Sequence, residues 1–135
     1  MSDTLEHFRI VARDCIPDPA GFKTEDPRTG RQHMRFWLPD PLKELMIEEY
    51  KRPEEKKTRI AAIKYFNPYG SGTWWFSEYD PDNDLFWGLC YIQFDEYGYC
   101  SMKELRETPC PPFNLPIERD YWFTPEYLSL IKASL

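Results

Sequence analysis

The stretch TWWFSEYDPDNDLFWGLCYIQF, residues 73–94, decides the fold of this chain. Two apolar and aromatic runs, 74–76 and 85–92, flank an acidic turn at residues 80–84. Strand-forming residues on both sides of a cluster of Asp, Pro and Asn predict an antiparallel hairpin. In the second run both alternating sets of side chains are apolar, which predicts a central strand covered on each face. Gly88 within that run indicates a bulge or the close approach of a neighbouring aromatic ring.

The sequence on either side of this hairpin predicts further strands and short helices. The pattern of side chains predicts strands at residues 60–66, 73–79, 85–94 and 97–100. Helices are predicted over residues 2–14 and over 40–50, the second with Asp40 as its cap and Pro41 in its first turn. Two further helices are predicted, one after the capping box that runs from Ser101 to Glu104 and one capped by Thr124-Pro125-Glu126. Residues 17–30, rich in Pro, Asp, Gly and Thr, predict a loop. The order predicts an α+β fold, in which an antiparallel meander of three to five strands carries short helices packed at its N- and C-terminal sides.

Length, apolar content and cysteine spacing favour a single soluble domain over a membrane, secreted or zinc-binding protein. A chain of 135 residues is long enough for one domain with a real core. No stretch approaches the roughly 20 apolar residues of a membrane helix, and the first residues lack the pattern of a secretory signal. We therefore expect a cytoplasmic protein with no membrane partner. The cysteines form no CxxC pair, which favours buried free thiols over disulfides or zinc ligands at Cys15, Cys90, Cys100 and Cys110.

The acidic turn is a candidate for binding rather than for a metal. Six acidic residues and no Lys or Arg lie between residues 78 and 96. Asp80-x-Asp82-x-Asp84 resembles the start of a calcium loop, but Leu85 stands where that loop needs Gly and Tyr91 where it needs Glu. We therefore expect a solvated turn and no bound metal.

A second set of carboxylates permits an enzymatic alternative. Glu118 and Asp120 face the same side of a predicted strand, and together with Glu78 they could serve a small metal-dependent hydrolase if all three converged. The other interpretation is a structural ion pair that holds the C-terminal helix. His7 and His33 are far apart in sequence, and no nucleophile motif is present. The balance favours a protein without catalytic residues or cofactor.

The basic segment from Lys51 to Arg59 permits a nucleic-acid alternative. It holds five basic and two acidic residues. The formal net charge of −6 and the lack of interleaved aromatic residues favour a solvated, mixed-charge loop over a phosphate-binding patch. Direct binding of nucleic acid is therefore the weaker hypothesis.

Aromatic residues are concentrated around the hairpin. Residues 65–99 hold 13 of the 23 aromatic residues of the chain. A small sheet cannot bury all of them, and surplus Trp and Tyr on a sheet face are typical of binding surfaces. The candidate binding residues are Trp74, Trp75, Tyr79, Asp80, Asp82, Asp84, Trp87 and Glu96.

The residues around the hairpin also carry a family resemblance. The series KYFNPYGSGTWWFSEYDPDNDLFWGLCYIQFDEYGYCSMKEL, followed by LPIERDYWF, resembles the family catalogued as domain of unknown function 2958. Members typically show K-x-F-x-P, T-W-x-x-x-E-x-D, D-x-x-F-x-G, E-x-G-Y-x-S-x-x-E-L and L-P-I-E-R-D segments. The chain departs from the usual pattern in its bulkier Trp75 and Trp87. The matching residues are Lys64, Phe66, Pro68, Thr73, Trp74, Glu78, Asp80, Asp84, Phe86 (displaced by one place), Gly88, Glu96, Gly98, Tyr99, Ser101, Glu104, Leu105 and 115–120.

The resemblance implies a division of the chain and a setting for its function. It covers about residues 38–130, so that residues 1–37 look like an N-terminal extension packed on a core domain of residues 38–135. Members look like small accessory proteins of bacterial plasmids, phages and integrative elements, and no activity comes with the family. The leading hypothesis is therefore a non-enzymatic interaction module of such an element. It would bind another protein through an acidic and aromatic surface and act against a host defence complex.

Overall fold

The computed structural model describes residues 2–17 and 28–135, and it has the predicted α+β architecture. Most of the loop predicted at residues 17–30 lies outside the described residues. The helices are α1 (Ser2–Asp14), α2 (Met34–Trp37), α3 (Asp40–Lys51), α4 (Met102–Glu107) and α5 (Leu128–Ala133), with a 3-10 turn at Glu54–Lys56. The strands are β1 (Ile60–Ala61), β2 (Ile63–Phe66), β3 (Thr73–Asp80), β4 (Leu85–Tyr91), β5 (Asp95–Ser101), β6 (Pro109–Cys110), β7 (Leu115–Pro116), β8 (Glu118–Arg119) and β9 (Glu126–Tyr127).

The main sheet is the predicted antiparallel meander with one added strand. Five strands lie in the order β5-β4-β3-β2-β8, and β3 and β4 form the predicted hairpin. The strand predicted over residues 60–66 is divided at Ala62, and its first part, β1, pairs instead with β9 near the C-terminus. The strand predicted to run through Phe94 ends at Tyr91, because residues 92–94 make the connection to β5.

The two faces of the sheet carry two separate cores. On the first face, which α1, α2 and α3 cover, the rings of Phe76 and Phe86 stack with centroids 4.4 Å apart, and Trp37 and Tyr65 complete the cluster. The polar atoms of these buried rings are satisfied, since Trp37 Nε1 donates to the Ile117 carbonyl and the Tyr65 hydroxyl donates to the Trp37 carbonyl. We call this cluster the first core.

The second core lies under α5. It joins Trp75 of β3 and Leu89 of β4 to Leu128 and Ile131 of α5. Strand β4 is therefore covered on both faces, as its doubly apolar sequence predicts. Helix α5 begins at Leu128 with no side-chain cap. The predicted cap at Thr124-Pro125-Glu126 was wrong, because Glu126 belongs to β9.

Gly88 marks the closest approach between two strands. A Cβ atom built at Gly88 would lie 2.0 Å from the Trp75 carbonyl oxygen and 2.8 Å from the Phe76 Cα. The register of β3 against β4 shifts between Phe76 and Glu78, so there is a bulge next to Gly88, but its extra residue belongs to β3 and not to the strand of Gly88. The close neighbour is strand backbone and not an aromatic ring, so that part of the interpretation of Gly88 was wrong.

A buried arginine fastens the N-terminal part of the chain to the sheet. Arg119 Nη1 donates to the carbonyls of Cys15, at 2.6 Å, and Phe36, at 2.8 Å. Its backbone N–H and carbonyl bond the side-chain amide of Gln32. Phe8, Ala12 and Trp37 lie in the same first core as the sheet. The described parts of residues 1–37 thus share their core with the rest of the chain.

The cap predicted at Asp40 was wrong, because Asp40 is the first residue of α3, Pro39 precedes it and no side chain caps the helix. The capping box of α4 and the free thiols follow the sequence. The Ser101 hydroxyl accepts a hydrogen bond from the Glu104 amide, as the capping box predicts. The four cysteines are free. Burial raises the pKa of the Cys90 thiol to about 11 and that of the Cys100 thiol to about 12. Within residues 2–17 and 28–135, no helix has both the length and the apolar character needed to span a bilayer.

Candidate functional site

The acidic turn is held by its own hydrogen bonds. Asp80 is only 5% exposed, and its carboxylate accepts bonds from the Asp82 amide at 2.9 Å and from the Asn83 side-chain amide at 2.8 Å. The bond from Asn83 is the main cause that lowers the pKa of Asp80. Asp84 accepts from the Tyr79 hydroxyl and from the Lys103 amide. Two of the three turn carboxylates therefore support the fold.

The other candidate binding residues are divided between the interior and the surface. Trp75 and Tyr79 are buried, one in each core. Trp74 is half-buried and packs against the first core. Asp82 and Glu96 are exposed, and half-buried Trp87 lies at the margin of the second core.

The three carboxylates of the hydrolase hypothesis do not meet. Phe66 pairs with both Thr73 and Glu118, so Glu118 lies two strands away from β3. Glu78 lies five residues farther along β3 than Thr73. With about 4.8 Å between strands and about 3.3 Å per residue, Glu78 and Glu118 are separated by about 19 Å. Within the described part of the chain there is no group of three or more His, Cys, Asp or Glu residues that could hold a metal ion.

Asp120 has a structural partner. Its carboxylate lies 3.3 Å from the Lys64 ammonium, and it also accepts a bond from the Trp122 amide. The ion pair therefore joins the end of β8 to β2, rather than holding the C-terminal helix.

Beside α5, the second face of the sheet carries a groove lined by aromatic and charged side chains. It consists of two adjoining clefts, of about 290 and 390 Å³, which share Arg59 and Trp87. We call it the aromatic groove. Its lining residues are Tyr50, Glu54, Lys57, Arg59, Glu78, Trp87, Tyr97, Tyr99, Leu128 and Ser129.

Strand register places the rings of the groove together. Trp87 pairs with Tyr99, and Leu89 pairs with Tyr97, so that alternate side chains of β4 and β5 share this face. The rings of Trp87 and Tyr97 stack at 5.5 Å with an interplanar angle of 8°. The Arg59 guanidinium lies 4.5 Å from the centroid of the Trp87 ring, and the Lys132 ammonium lies 5.4 Å from that of Tyr97. Two rings are thus enclosed between two cations, which is a favourable electrostatic arrangement.

A buried carboxylate fixes the cationic end of this stack. The Glu78 side chain is 7% exposed, and it accepts hydrogen bonds from Lys57 Nζ at 2.8 Å and from Arg59 Nη1 at 2.7 Å. Lys57 Nζ also donates to the carbonyls of Glu49 and Tyr50, the last turn of α3. A lysine at a helix C-terminus satisfies carbonyls that have no partner within the helix. Glu78 therefore joins β3 to α3 through Lys57.

The backbone of Arg59 is fixed from two further directions. Its φ angle of 55° is uncommon for a residue other than glycine. The Arg59 amide donates to the Glu49 carboxylate at 2.8 Å, and its carbonyl accepts from the Leu128 amide at 2.8 Å. Neighbouring structure therefore maintains the conformation, and the guanidinium is held in place over Trp87.

The groove and the acidic turn are connected through Tyr50. A hydrogen bond to Asp80 is the main cause that raises the pKa of the Tyr50 hydroxyl.

Sequence reasoning missed most of this site. Lys57 and Arg59 were assigned to a solvated loop, yet both contact Glu78. A usable signal was Glu78 itself, an acidic residue inside an apolar strand, because a buried charge requires a charged or hydrogen-bonding partner. Nothing local in the sequence identifies that partner.

The family comparison agrees with the resemblance seen in the sequence. The family described as protein of unknown function DUF2958 matches residues 38–131. The chain belongs to the DUF2958 family. The match includes α3, the whole meander and every residue that lines the aromatic groove. No curated protein and no solved structure matches the chain.

Proposed function

We propose that this DUF2958 member is a non-enzymatic protein-interaction module and that the aromatic groove is its partner-binding surface. The observation that carries the proposal is the ordered stack of Arg59, Trp87 and Tyr97, held by Glu78 and Lys57. Tyr99 beside it is 65% exposed. Tyr, Trp and Arg are the residues that most often dominate binding energy at protein interfaces.

The side chains of the groove are preorganised by contacts within the chain. Binding normally costs free energy because side chains at the interface lose rotational freedom. Here Arg59 is held by Glu78 and Trp87, and Tyr97 is held between Trp87 and Lys132. A partner segment that packs on these side chains would therefore gain contact area at a small ordering cost.

The charges of the groove favour a protein partner over nucleic acid. The Lys57 and Arg59 cations are both paired with Glu78, and Arg59 also contacts Glu54. Affinity for nucleic acid depends on cations that neutralise backbone phosphates. The partner would be a protein of the cell in which a plasmid, phage or integrative element resides, and a component of a host defence complex is our specific proposal. The resemblance to accessory proteins of such elements supports that choice.

Capture of the partner by matched surface variants tests the proposal. Tyr99→Ser removes an exposed ring inside the groove, whereas Trp122→Ser removes an 81% exposed ring outside it. Tagged wild-type protein and both variants would be used for affinity capture from host cells with quantitative mass spectrometry. Far-ultraviolet circular dichroism would verify the fold of each.

We expect Tyr99→Ser to weaken retention of the partner about 30-fold, which is the effect of losing a residue that dominates an interface. Trp122→Ser should retain the partner as the wild type does. Equal capture by all three proteins would show that the groove is not the binding surface.

A further inference from the structure

The edge strand β5 has a free side. In the described part of the chain β5 is the last strand of the five-stranded sheet and pairs only with β4. It runs for seven residues, from Asp95 to Ser101. An edge of this length exposes a row of backbone donors and acceptors that another strand can use.

The ladder between β4 and β5 shows which backbone groups point outward. The Met102 amide donates to the Asp84 carbonyl at 3.0 Å, next to the pair formed by Leu85 and Ser101. In an antiparallel ladder, hydrogen-bonded and non-hydrogen-bonded pairs alternate. The even-numbered residues of β5 therefore bond β4. The N–H and C=O groups that point away from the sheet belong to Asp95, Tyr97, Tyr99 and Ser101.

This set of outward groups is symmetric about Gly98. We propose that a second copy of this chain pairs with β5 in antiparallel orientation, with the two-fold axis at Gly98. Tyr97 then lies opposite Tyr99 of the second copy, and Asp95 lies opposite Ser101 of the second copy. Each of these pairs exchanges two backbone hydrogen bonds. An interface that a two-fold axis relates to itself is the commonest form of protein association.

Gly98 lies on the two-fold axis of the proposed dimer, where it faces Gly98 of the second copy. A Cβ atom at Gly98 would meet no described atom within 4 Å, and its φ angle is not in the range that favours glycine. Glycine inside a strand weakens the strand and often marks the close approach of another backbone. On the axis, the two Gly98 residues form a non-hydrogen-bonded pair with Cα atoms about 4.5 Å apart, the kind of pair in which any added side chains would lie closest together.

Side chains along β5 favour the antiparallel orientation. Tyr97 and Tyr99 are 43% and 65% exposed, and the pairing makes them cross-strand aromatic neighbours. The acidic start of the strand, Asp95-Glu96, would face the Ser101 end of the second copy, where exposed Lys103 and Glu104 carry opposite charges. Asp95 keeps its ion pair with Lys132 of its own chain. A parallel arrangement would instead bring the two acidic ends together.

The inference goes beyond the proposed function, although Tyr97 and Tyr99 belong to both surfaces. Pairing would extend the main sheet across two chains and bring the two aromatic grooves onto one continuous face. The experiment therefore changes Gly98, which does not line the groove.

Charged residues placed at position 98, on the two-fold axis, test the pairing of the two β5 strands. Sedimentation equilibrium of the full chain would be measured over a wide concentration range with a thiol reductant, for the wild type, Gly98→Asp, Gly98→Lys and an equal mixture of the two variants. Like charges opposite each other across an interface are strongly unfavourable. We expect a wild-type mass of twice 16.3 kDa. For each variant alone we expect a dissociation constant raised by about tenfold or more. In the mixture, opposite charges meet and the dimer should form again.

Three results would overturn the inference: a wild type that stays at 16.3 kDa, variants that associate as the wild type does, or a mixture that remains monomeric. Thermal unfolding of each variant would verify that the monomer is intact, as the open space beside Gly98 predicts. A monomeric wild type whose Tyr99→Ser variant still loses the partner would exclude the pairing and leave the proposed function standing.

Discussion

Gly88 and Gly98 provide a direct test of how the sheet is packed. They are paired residues of neighbouring strands, and neither has a φ angle in the left-handed range. Their surroundings differ, since a Cβ at Gly88 would lie 2.0 Å from the Trp75 carbonyl oxygen and a Cβ at Gly98 would contact none of the described residues. Gly88→Ala should therefore destabilise the fold strongly, and Gly98→Ala should not.

The size of the effect follows from the contact. To reach an allowed separation of about 3 Å or more, β3 and β4 must move apart by about 1 Å, against a backbone atom that cannot rotate away. Overpacking of a core costs about 1–3 kcal/mol and sometimes more, and we expect about 3 kcal/mol for Gly88→Ala. For a chain of 135 residues this free energy corresponds to a fall in Tm of about 10 °C. Gly98→Ala should leave Tm unchanged or raise it slightly, because alanine loses less backbone entropy on folding.

Differential scanning calorimetry of the two variants and the wild type, at low micromolar concentration, measures both effects. Urea unfolding provides the free energy of unfolding independently. Equal Tm values for Gly88→Ala and Gly98→Ala would refute the close approach of β3 to β4.

Three further predictions concern buried charge, thiols and the acidic turn. Glu78→Ala leaves the buried Lys57 ammonium with two carbonyl acceptors but no carboxylate to balance its charge, and it should lower the free energy of unfolding by about 3 kcal/mol in urea titration; a loss below about 1 kcal/mol would contradict the ion-pair arrangement. Because the folded-state pKa values of Cys90 and Cys100 lie above the ordinary 9.0, the unfolded chain loses these protons first. Stability should therefore be full below pH 9 and fall toward pH 11, and Tm should fall more in the wild type than in a double alanine variant. Asp80→Ala should lower Tm because the turn loses its hydrogen-bond acceptor, whereas exposed Asp82→Ala should not; equal effects would show that Asp80 does not support the turn.

The hairpin and the meander could be predicted because their signals are local. The residues before and after the acidic turn alternate as strands do, and the turn residues themselves favour a reversal. The boundary at Tyr91 could not be predicted in this way. Ile92 and Phe94 read as strand because they are apolar, yet both are exposed in the connection to β5. Hydrophobicity alone does not distinguish an exposed apolar connection from a buried strand.

The aromatic groove could not be predicted because its contacts join distant parts of the chain. Lys57 and Glu78 are 21 positions apart, and no local pattern selects one lysine from its neighbours. Arg119 reaches Cys15 over 104 positions. A sequence shows that a charged residue within an apolar run needs a partner, but the choice of partner depends on how helices and strands pack.

The acidic turn has a structural role that was not predicted. Its density of carboxylates indicated a binding surface, whereas Asp80 and Asp84 accept hydrogen bonds within and beside the turn. Asp and Asn side chains commonly bond backbone amides two or three residues onward. That local chemistry was sufficient to predict a structural role for Asp80.

The many bonds of Arg59 have a consequence for the order in which the protein is assembled. The Arg59 carbonyl gains its hydrogen bond from the Leu128 amide only when the C-terminal part of the chain is in place. The adjoining pairing of β1 with β9 joins residues about 66 positions apart. Helix α3 and strands β2 to β5 lie between residues 40 and 101 and make the strand pairs of the meander among themselves, so they can form before residues 126–133 pack against them. The aromatic groove acquires its last wall only when α5 packs, because Leu128 and Ser129 line it and Lys132 contacts the Tyr97 ring. The proposed binding of a partner through the groove would therefore require that the end of the chain has folded as well as the meander.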